Sequence, residues 1–312
     1  HDLPWRQKVT PYRIWISEIM LQQTQVKTAT PYFKNFIKKY PTQKKLSEAT
    51  EDQILALWSG LGFYRRARNI FKTKEIIKEE YNNRFPKEFH QLLELPGIGK
   101  STAGAIMSLA YENPHPILDG NVKRVITRLV NKNIDLLKES QLWDLSSQFV
   151  NKENCFAYTQ GIMDLGATVC TPTNPSCKDC PVQNQCMSAF NIINNKKRNV
   201  AQLKKVIPMN LSLIQTEDSL LLVKNEASSI WKNLWIPFES RSLESYTNNF
   251  KLTSSQKIQH ELTHRRLNIK LNTYISINES KIKTNKKYKW IKKDRINEYG
   301  LPKPISKVIN EL

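Results

Sequence analysis

Apolar side chains at Tyr12, Trp15, Ile19 and Val26 recur at spacings close to the 3.6-residue turn of a helix. Thr10-Pro11 opens this stretch with an N-cap followed by proline at the first helical position, so one helix is expected to run through Val26. Similar periodicity predicts helices over 47–58, 64–81, 87–94, 101–111, 121–131 and 139–150, with prolines and glycines between them. Residues 191–206, containing Asn194-Asn195-Lys196-Lys197-Arg198-Asn199, are polar and basic and read as a linker. Beyond Val206 the period changes. Leu211-Ser212-Leu213-Ile214, Leu220-Leu221-Leu222-Val223 and Leu267-Asn268-Ile269-Lys270-Leu271-Asn272 are short strand-like runs. Trp290-Ile291 is expected in a further strand and 304–312 in a closing helix. The pattern therefore predicts a helical domain over 1–190 and an α+β domain over 207–312, with no internal repeat.

Length and charge agree with that division. A chain of 312 residues can bury two cores. A formal charge of +20, with an isoelectric point near 9.7, attracts polyanions, and nucleic acid is the commonest one. The abundance of Lys, Asn and Ile offers a plain alternative, a composition bias, so charge alone does not decide the partner. No apolar run approaches the ~18 residues that a membrane-spanning helix needs, and no membrane association is expected. The chain begins His1-Asp2-Leu3-Pro4 without a methionine, so a few preceding residues are expected to be missing.

Four of the five cysteines fall within seventeen residues, as Cys170-x6-Cys177-x2-Cys180-x5-Cys186. Pro172, Pro175 and Pro181 stiffen the loops between them. Four thiolates so close in sequence suit a [4Fe–4S] cluster or a structural zinc. The spacing contains a single C-x-x-C pair where zinc usually takes two, so the cluster is the preferred assignment. Disulfides are the weaker alternative: no secretory signal is expected, and Cys155 would be left over.

A second cue is Leu95-Pro96-Gly97-Ile98-Gly99-Lys100-Ser101-Thr102, a tight Gly-x-Gly turn between two predicted helices. Glycines let backbone approach a partner closely, and the amides at the next helix N-terminus point at an anion. Such a helix-hairpin-helix element grips a DNA phosphate without reading sequence. A lone Gly-x-Gly is most often an ordinary turn. Here Asp119-Gly120-Asn121-Val122 follows about twenty residues later, and the four cysteines after that. This order resembles the endonuclease III superfamily of DNA glycosylases. Leu3-Pro4-Trp5-Arg6, Trp15-Ile16-Ser17-Glu18-Ile19-Met20-Leu21-Gln22-Gln23-Thr24-Gln25-Val26, Leu57-Trp58-Ser59-Gly60-Leu61-Gly62-Phe63-Tyr64 and Met163-Asp164-Leu165-Gly166 are similar to its adenine DNA glycosylase branch.

The resemblance is strong over 1–190 and implies a six-helix part near 7–113, and an iron–sulfur part near 114–190 that includes the N-terminus. It implies removal of adenine mispaired with 8-oxoguanine or guanine, by a monomer acting on duplex DNA at the cytoplasmic nucleoid if the source is bacterial. Glu18, flanked on its helix by Ile14 and Leu21, has neighbours that raise a carboxyl pKa and suit it to a general acid. The matching family residue protonates adenine N7. Asp119 could simply be an N-cap; by resemblance it stabilises the oxocarbenium-like sugar or bonds to it transiently. Ser101 stands where bifunctional members carry a Schiff-base lysine, so base removal without efficient strand scission is expected. Adenine must leave the stack to be cut. Gln22, Gln23 and Phe63 match residues that fill or wedge the stack, Phe63 in place of the more usual tyrosine. Trp5, Arg6, Leu21, Ser101 and Asp164 match the adenine pocket, while Gly97, Gly99 and Lys100 form the phosphate-binding hairpin.

The last third resembles the Nudix-like recognition domain of the same enzymes. Residues 220–223 and Ser229-Ile230-Trp231-Lys232-Asn233-Leu234-Trp235-Ile236-Pro237 fit its strand and Trp-containing loop. Beyond Pro237 only Glu239, Glu244 and scattered acids follow, without the glutamate cluster of a catalytic Nudix box, so hydrolase activity is not expected. His260-Glu261-Leu262-Thr263-His264 falls where the family contacts 8-oxoguanine, which makes Thr263 and His264 the lesion-recognition candidates. Two other readings stand beside this one: an endonuclease III-type pyrimidine glycosylase and lyase, which Ser101 and the second domain oppose, and a non-catalytic DNA-binding iron–sulfur protein, which Glu18 and Asp119 oppose.

Overall fold

The computed structural model describes residues 3–191, 204–226, 230–240, 250–276 and 287–312. Most of the expected linker, together with Ser229 and Glu244, lies outside the described residues. The chain forms two compact units, one from 1–48 and 69–197 and the other from 49–68 and 198–312.

The first unit is helical. Thr10 caps α1 (Pro11–Leu21), its side chain accepting the Arg13 backbone amide. This helix stops five residues short of the expected Val26. Gln22-Gln23-Thr24-Gln25 has no apolar side chain to bury, and Gln23 turns the chain at φ +56°. Val26 starts a separate helix, α2 (Val26–Lys39), and is 38% exposed. The core of this unit holds Trp15, Ile16, Ile19, Phe33 and Phe36, all essentially fully buried. The short α3 (Gln43–Leu46) closes the N-terminal stretch. Within the second unit lies α4 (Glu51–Leu57), opened by a capping box between Thr50 and Gln53. Then come α5 (Arg65–Tyr81), α6 (Phe89–Glu94) and α7 (Lys100–Ala110). Helices α8 (Gly120–Leu129), α9 (Glu139–Phe149) and α10 (Cys155–Asp164) follow, the last running into a wide turn over Leu165–Val169. Periodicity missed α2, α3 and α10. Helix α2 carries Pro31 inside it, and α3 has only four residues.

The second unit centres on a sheet of seven strands among the described residues. In order across it lie β3 (Trp235–Ile236), β2 (Ser219–Lys224), β1 (Lys205–Gln215), β6 (Arg265–Ser276) and β5 (Phe250–Glu261). Strand β4 (Phe238–Glu239) also pairs β1, and β7 (Tyr288–Lys292) also pairs β2. Strands β1 and β6 are parallel over their whole length, from Lys205↔Arg265 to Gln215↔Ile275; β5 and β6 form an antiparallel hairpin. Strand β5 has no fully buried residue, and its partly buried positions, Phe250, Gln256, Ile258 and His260, are half of them polar, so no regular apolar alternation marks it. Helix α11 (Lys303–Ile309) closes the unit and buries Ile305 and Val308.

One clamp within the first unit positions the chemistry described below. The extended stretch 112–119 lies against α7. A Cβ on Gly104 would sit 2.3 Å from the Pro116 carbonyl oxygen, so only glycine allows the approach. Ser108 Oγ donates to the His115 carbonyl at 3.0 Å and accepts its amide at 3.1 Å. Ser146 Oγ on α9 donates to the Ile117 carbonyl at 2.7 Å. Gly104→Ala is therefore expected to lower the urea midpoint, at an overpacking cost of about 1–3 kcal/mol. An unchanged midpoint would mean that helix and stretch have room to part.

Candidate active site

Glu18 lies on α1 among buried residues: Trp15, Ser17 and Ile19 are all 1% exposed or less. Removal from water, and then the negative charge of Asp119, push its carboxyl up to about 7. That coupling brings together the two carboxylates expected from sequence, although they are a hundred residues apart. Asp119 is at the same time a cap: its Oδ1 accepts the Val122 amide at 2.7 Å and starts α8. Ser101, in the first turn of α7, accepts the Leu118 amide on its hydroxyl at 2.9 Å. The serine thus fixes the backbone one residue before Asp119. Its neighbour Lys100 has its ammonium 4.3 Å from the centre of the Trp143 ring, where the π-face attracts it.

The expected pocket residues separate into two groups. Arg6 and Asp164 come together as a bidentate pair, NH1 to Oδ2 at 2.8 Å and NH2 to Oδ1 at 2.6 Å. Trp5 is buried, its ring meeting Phe33 edge-on at 5.4 Å. Leu21 ends α1 with part of its side chain exposed. Gln22 follows, its Nε2 donating to the Gly97 carbonyl at 3.4 Å, so the end of α1 touches the hairpin. Gln23 is exposed. Within the hairpin Gly97 has φ +84°, and a Cβ there would meet the Asn69 amide nitrogen at 2.7 Å. Gly99 caps α7 and has open space around it, as a backbone that meets a ligand requires.

The four clustered cysteines face one another. Cys170, Cys177, Cys180 and Cys186 line a single, partly open cavity of about 30 Å³ with Arg128, Pro175 and Gln183. None is in a disulfide. Burial raises the Cys186 thiol, and the other three thiols raise it further. Among the described residues no three acidic, His or Cys side chains are gathered tightly enough for a single metal ion. Four thiols lining one cavity are a donor set that suits an iron–sulfur cluster or a zinc ion. Two arginines tie this loop to α8 and escaped the sequence reading. Arg124 donates from Nε to the Cys170 carbonyl at 2.8 Å and from NH2 to the Gly166 carbonyl at 2.6 Å. Arg128 NH1 reaches Cys170 Sγ at 3.4 Å and the Thr171 carbonyl at 2.8 Å. Their i, i+4 spacing after Asp119 was the available signal. Cys155 lies elsewhere, buried, its thiol 3.6 Å from the Ser108 carbonyl.

In the second unit Phe63 is 45% exposed at φ +49°. Thr263 and His264 are exposed at the turn joining β5 to β6, closed by the Leu262 amide on the Arg265 carbonyl at 2.8 Å. Glu239 is exposed on β4.

A carboxyl raised by burial, a capping carboxylate beside it and an open glycine hairpin between two helices form one candidate site in the first unit. Residues 16–142 match the HhH-GPD superfamily of base excision DNA repair proteins, and 210–311 match the NUDIX domain. The adenine DNA glycosylase of Buchnera aphidicola subsp. Schizaphis graminum is 40% identical over 99% of this chain and 93% of its own. The human adenine DNA glycosylase is 39% identical over 59% of this chain and 36% of its own. Among solved structures, a thermostable thymine-DNA glycosylase superposes with a TM-score of 0.57 at 28% identity, covering 62% of this chain and 90% of that one. An endonuclease III–DNA complex, at a TM-score of 0.52 and 24% identity, covers 58% of this chain and 85% of that one and shares the fold. The chain belongs to the adenine DNA glycosylase family. No helix among the described residues is long and apolar enough to cross a membrane.

Glu18 also makes stability depend on pH. Its native pKa near 7 lies above the unfolded value, so the native state keeps a proton that the unfolded state loses. Below about pH 4.5 both states are protonated and the group has no effect. As pH rises from there to about 7 it costs native stability, and above that the cost is constant. Glu18→Gln should therefore gain melting temperature over the wild type progressively across this window, with little difference at its acid end. A difference independent of pH would show that Glu18 titrates normally.

Proposed function

We propose that this chain hydrolyses the N-glycosidic bond of adenine mispaired with 8-oxoguanine or guanine, releasing the base without efficient strand scission. The observation that carries the proposal is the Glu18 carboxyl raised to about 7 beside Asp119. A carboxylic acid that keeps its proton near neutrality can give it to adenine N7 and make the base a leaving group. After donation Glu18 is the base that takes a proton from the attacking water. Asp119 spends Oδ1 on the helix cap, and its other oxygen is available to the cationic sugar. This is the two-carboxylate logic of glycoside cleavage applied to an N-glycoside. Ser101 offers no amine for a Schiff base, and the Lys100 ammonium rests on the Trp143 ring.

The remaining residues serve extrusion and recognition. Phe63 and Gln23 enter or fill the stack vacated by adenine, and Gln22 supports the hairpin whose Gly97, Gly99 and Lys100 hold a phosphate. The Arg6–Asp164 pair, with Trp5 and Leu21, borders the base pocket, where the Asp164 carboxylate is the acceptor for the adenine amino group. Thr263 and His264 read the base opposite from the β5–β6 turn. Cys170, Cys177, Cys180 and Cys186 hold a [4Fe–4S] cluster, which supplies an internal cross-link to a loop that has few apolar side chains of its own.

Single-turnover assays on end-labelled duplexes carrying A opposite 8-oxoguanine or guanine, with and without later alkali, test this reading. The wild type should yield alkali-dependent breaks. Glu18→Gln should lose about 10²–10⁴-fold or more in rate while duplex affinity holds. Thr263→Ala should narrow the preference for 8-oxoguanine by roughly tenfold, the worth of one hydrogen bond to a base edge. Full activity in Glu18→Gln would sink the acid assignment. Iron analysis checks the cluster independently: Cys177→Ser should lower iron per chain and the absorbance shoulder near ~400 nm, whereas Cys155→Ser should change neither.

A further inference from the structure

We propose that the C-terminal part of the chain also serves as the platform that holds the stack-inserting loop 58–64 in its projecting shape, with Asp52 as a positioning residue. This inference rests on the reading of Phe63 as the wedge.

A wedge faces a mechanical problem. Base pairs prised apart push back with a few kcal/mol of lost stacking. A phenyl ring on a loose loop would yield instead of the stack. Phe63 is moreover a non-glycine residue at φ +49°, a conformation that persists only where the surroundings impose it. Something must hold this loop, and its supports can be followed outward.

Nearest to Phe63 the loop supports itself. Trp58 Nε1 donates to the Gly62 carbonyl at 3.0 Å, and Arg66 NH2 donates to the same oxygen at 3.2 Å. The Arg66 guanidinium carbon lies 5.3 Å from the Trp58 ring centre and 5.4 Å from that of Phe63. A cation between a fully buried indole and an exposed phenyl joins the wedge to the interior. The next supports come from the far end of the chain. Ser59 Oγ and Tyr64 OH both donate to the Leu301 carbonyl, at 3.0 and 3.3 Å. The chain before Leu301 is fitted to α4, since a Cβ on Gly300 would lie 2.5 Å from Leu55 Cβ.

The helix entering the loop is fixed by charge and hydrogen bonds. Asp52 Oδ1 accepts the Trp235 indole N–H at 3.0 Å and lies 3.3 Å from the Lys224 ammonium. The adjacent Glu51 accepts from the Asn233 side chain at 3.0 Å. On the exit side Arg68 NH1 donates to the Lys232 carbonyl at 3.0 Å. Entry, middle and exit of the loop are thus all bonded to residues beyond 220, which is why 49–68 forms one compact unit with 198–312. None of these bonds involves Thr263 or His264. The platform therefore assists unstacking whichever base lies opposite adenine, which sets it apart from lesion reading.

The test uses full-length protein and duplexes with 2-aminopurine beside the target adenine, opposite 8-oxoguanine or guanine. Stopped-flow fluorescence reports unstacking; the melting temperature and the affinity for undamaged duplex report folding and general binding. Asp52→Ala should slow or diminish unstacking by about three- to tenfold on both duplexes, the worth of one or two hydrogen bonds, with undamaged-duplex affinity unchanged. Asp52→Asn keeps an acceptor for the Trp235 indole and should recover most of the loss. In a Phe63→Ala background Asp52→Ala should add nothing, because it acts through the wedge. Equal, additive losses in both backgrounds would overturn the platform, as would unstacking unaltered by Asp52→Ala in the presence of Phe63. If Phe63→Ala itself leaves unstacking intact, the wedge reading has failed instead. Should Asp52→Ala lower the melting temperature, Tyr64→Phe, which removes a single hydroxyl from the Leu301 carbonyl, carries the same cycle.

Discussion

Bringing Asp119 up to Glu18, one carboxylate against another, is the constraint on which the first unit depends. Burial alone raises a carboxyl, and a second carboxylate nearby raises it further, yet both effects oppose folding. The fold must therefore force Asp119 into place. It does so with the bare Cα of Gly104, the hydroxyls of Ser101, Ser108 and Ser146, and the cap that Asp119 makes for α8. Small residues and hydroxyls are well suited here, since they let a helix and an extended stretch approach while satisfying its amides and carbonyls. The same Asp119 is cap and catalytic candidate, so the start of α8 and the electrostatics of the site cannot be varied separately.

Helix α8 also carries Arg124 and Arg128, whose bonds to the carbonyls of Gly166, Cys170 and Thr171 fix the cysteine loop. That loop has short single turns and few apolar side chains. Its own backbone turns, the Met187 amide on the Leu129 carbonyl and the Ser188 hydroxyl on Asn131 add to these guanidinium bonds, and four cysteines line one cavity there. The second unit solves its problem differently. Its sheet buries Ile214, Leu221 and Phe238 as a core, and its ends and loops provide the polar attachments to α4 and the loop 58–64.

Legibility divided along chemical lines. Residue type and spacing singled out Glu18, Asp119, the Gly-x-Gly turn and the four cysteines, and the structure brings the two carboxylates together and the four thiols to one cavity. Helices with a regular apolar stripe, such as α5 and α9, were readable from spacing too. Strand β5 was not, because its partly buried positions include the polar Gln256 and His260, so burial there leaves no apolar alternation. The end of α1 at Leu21 depended on whether a polar run would find something to bury, which no local pattern reveals.

Local chemistry thus pointed to the family, to four thiols that share one cavity and to the division into helical and sheet-bearing parts. Tertiary structure alone decided that Arg6 meets Asp164, that Lys100 rests on Trp143, that Ser101 braces the approach to Asp119, and that residues 49–68 join the C-terminal unit. The physical reason is common to all four. Each is a contact between groups far apart in the chain, made by side chains that could satisfy themselves in water equally well. Their pairing follows from how the packed elements bring them together and leaves no periodic mark on the sequence.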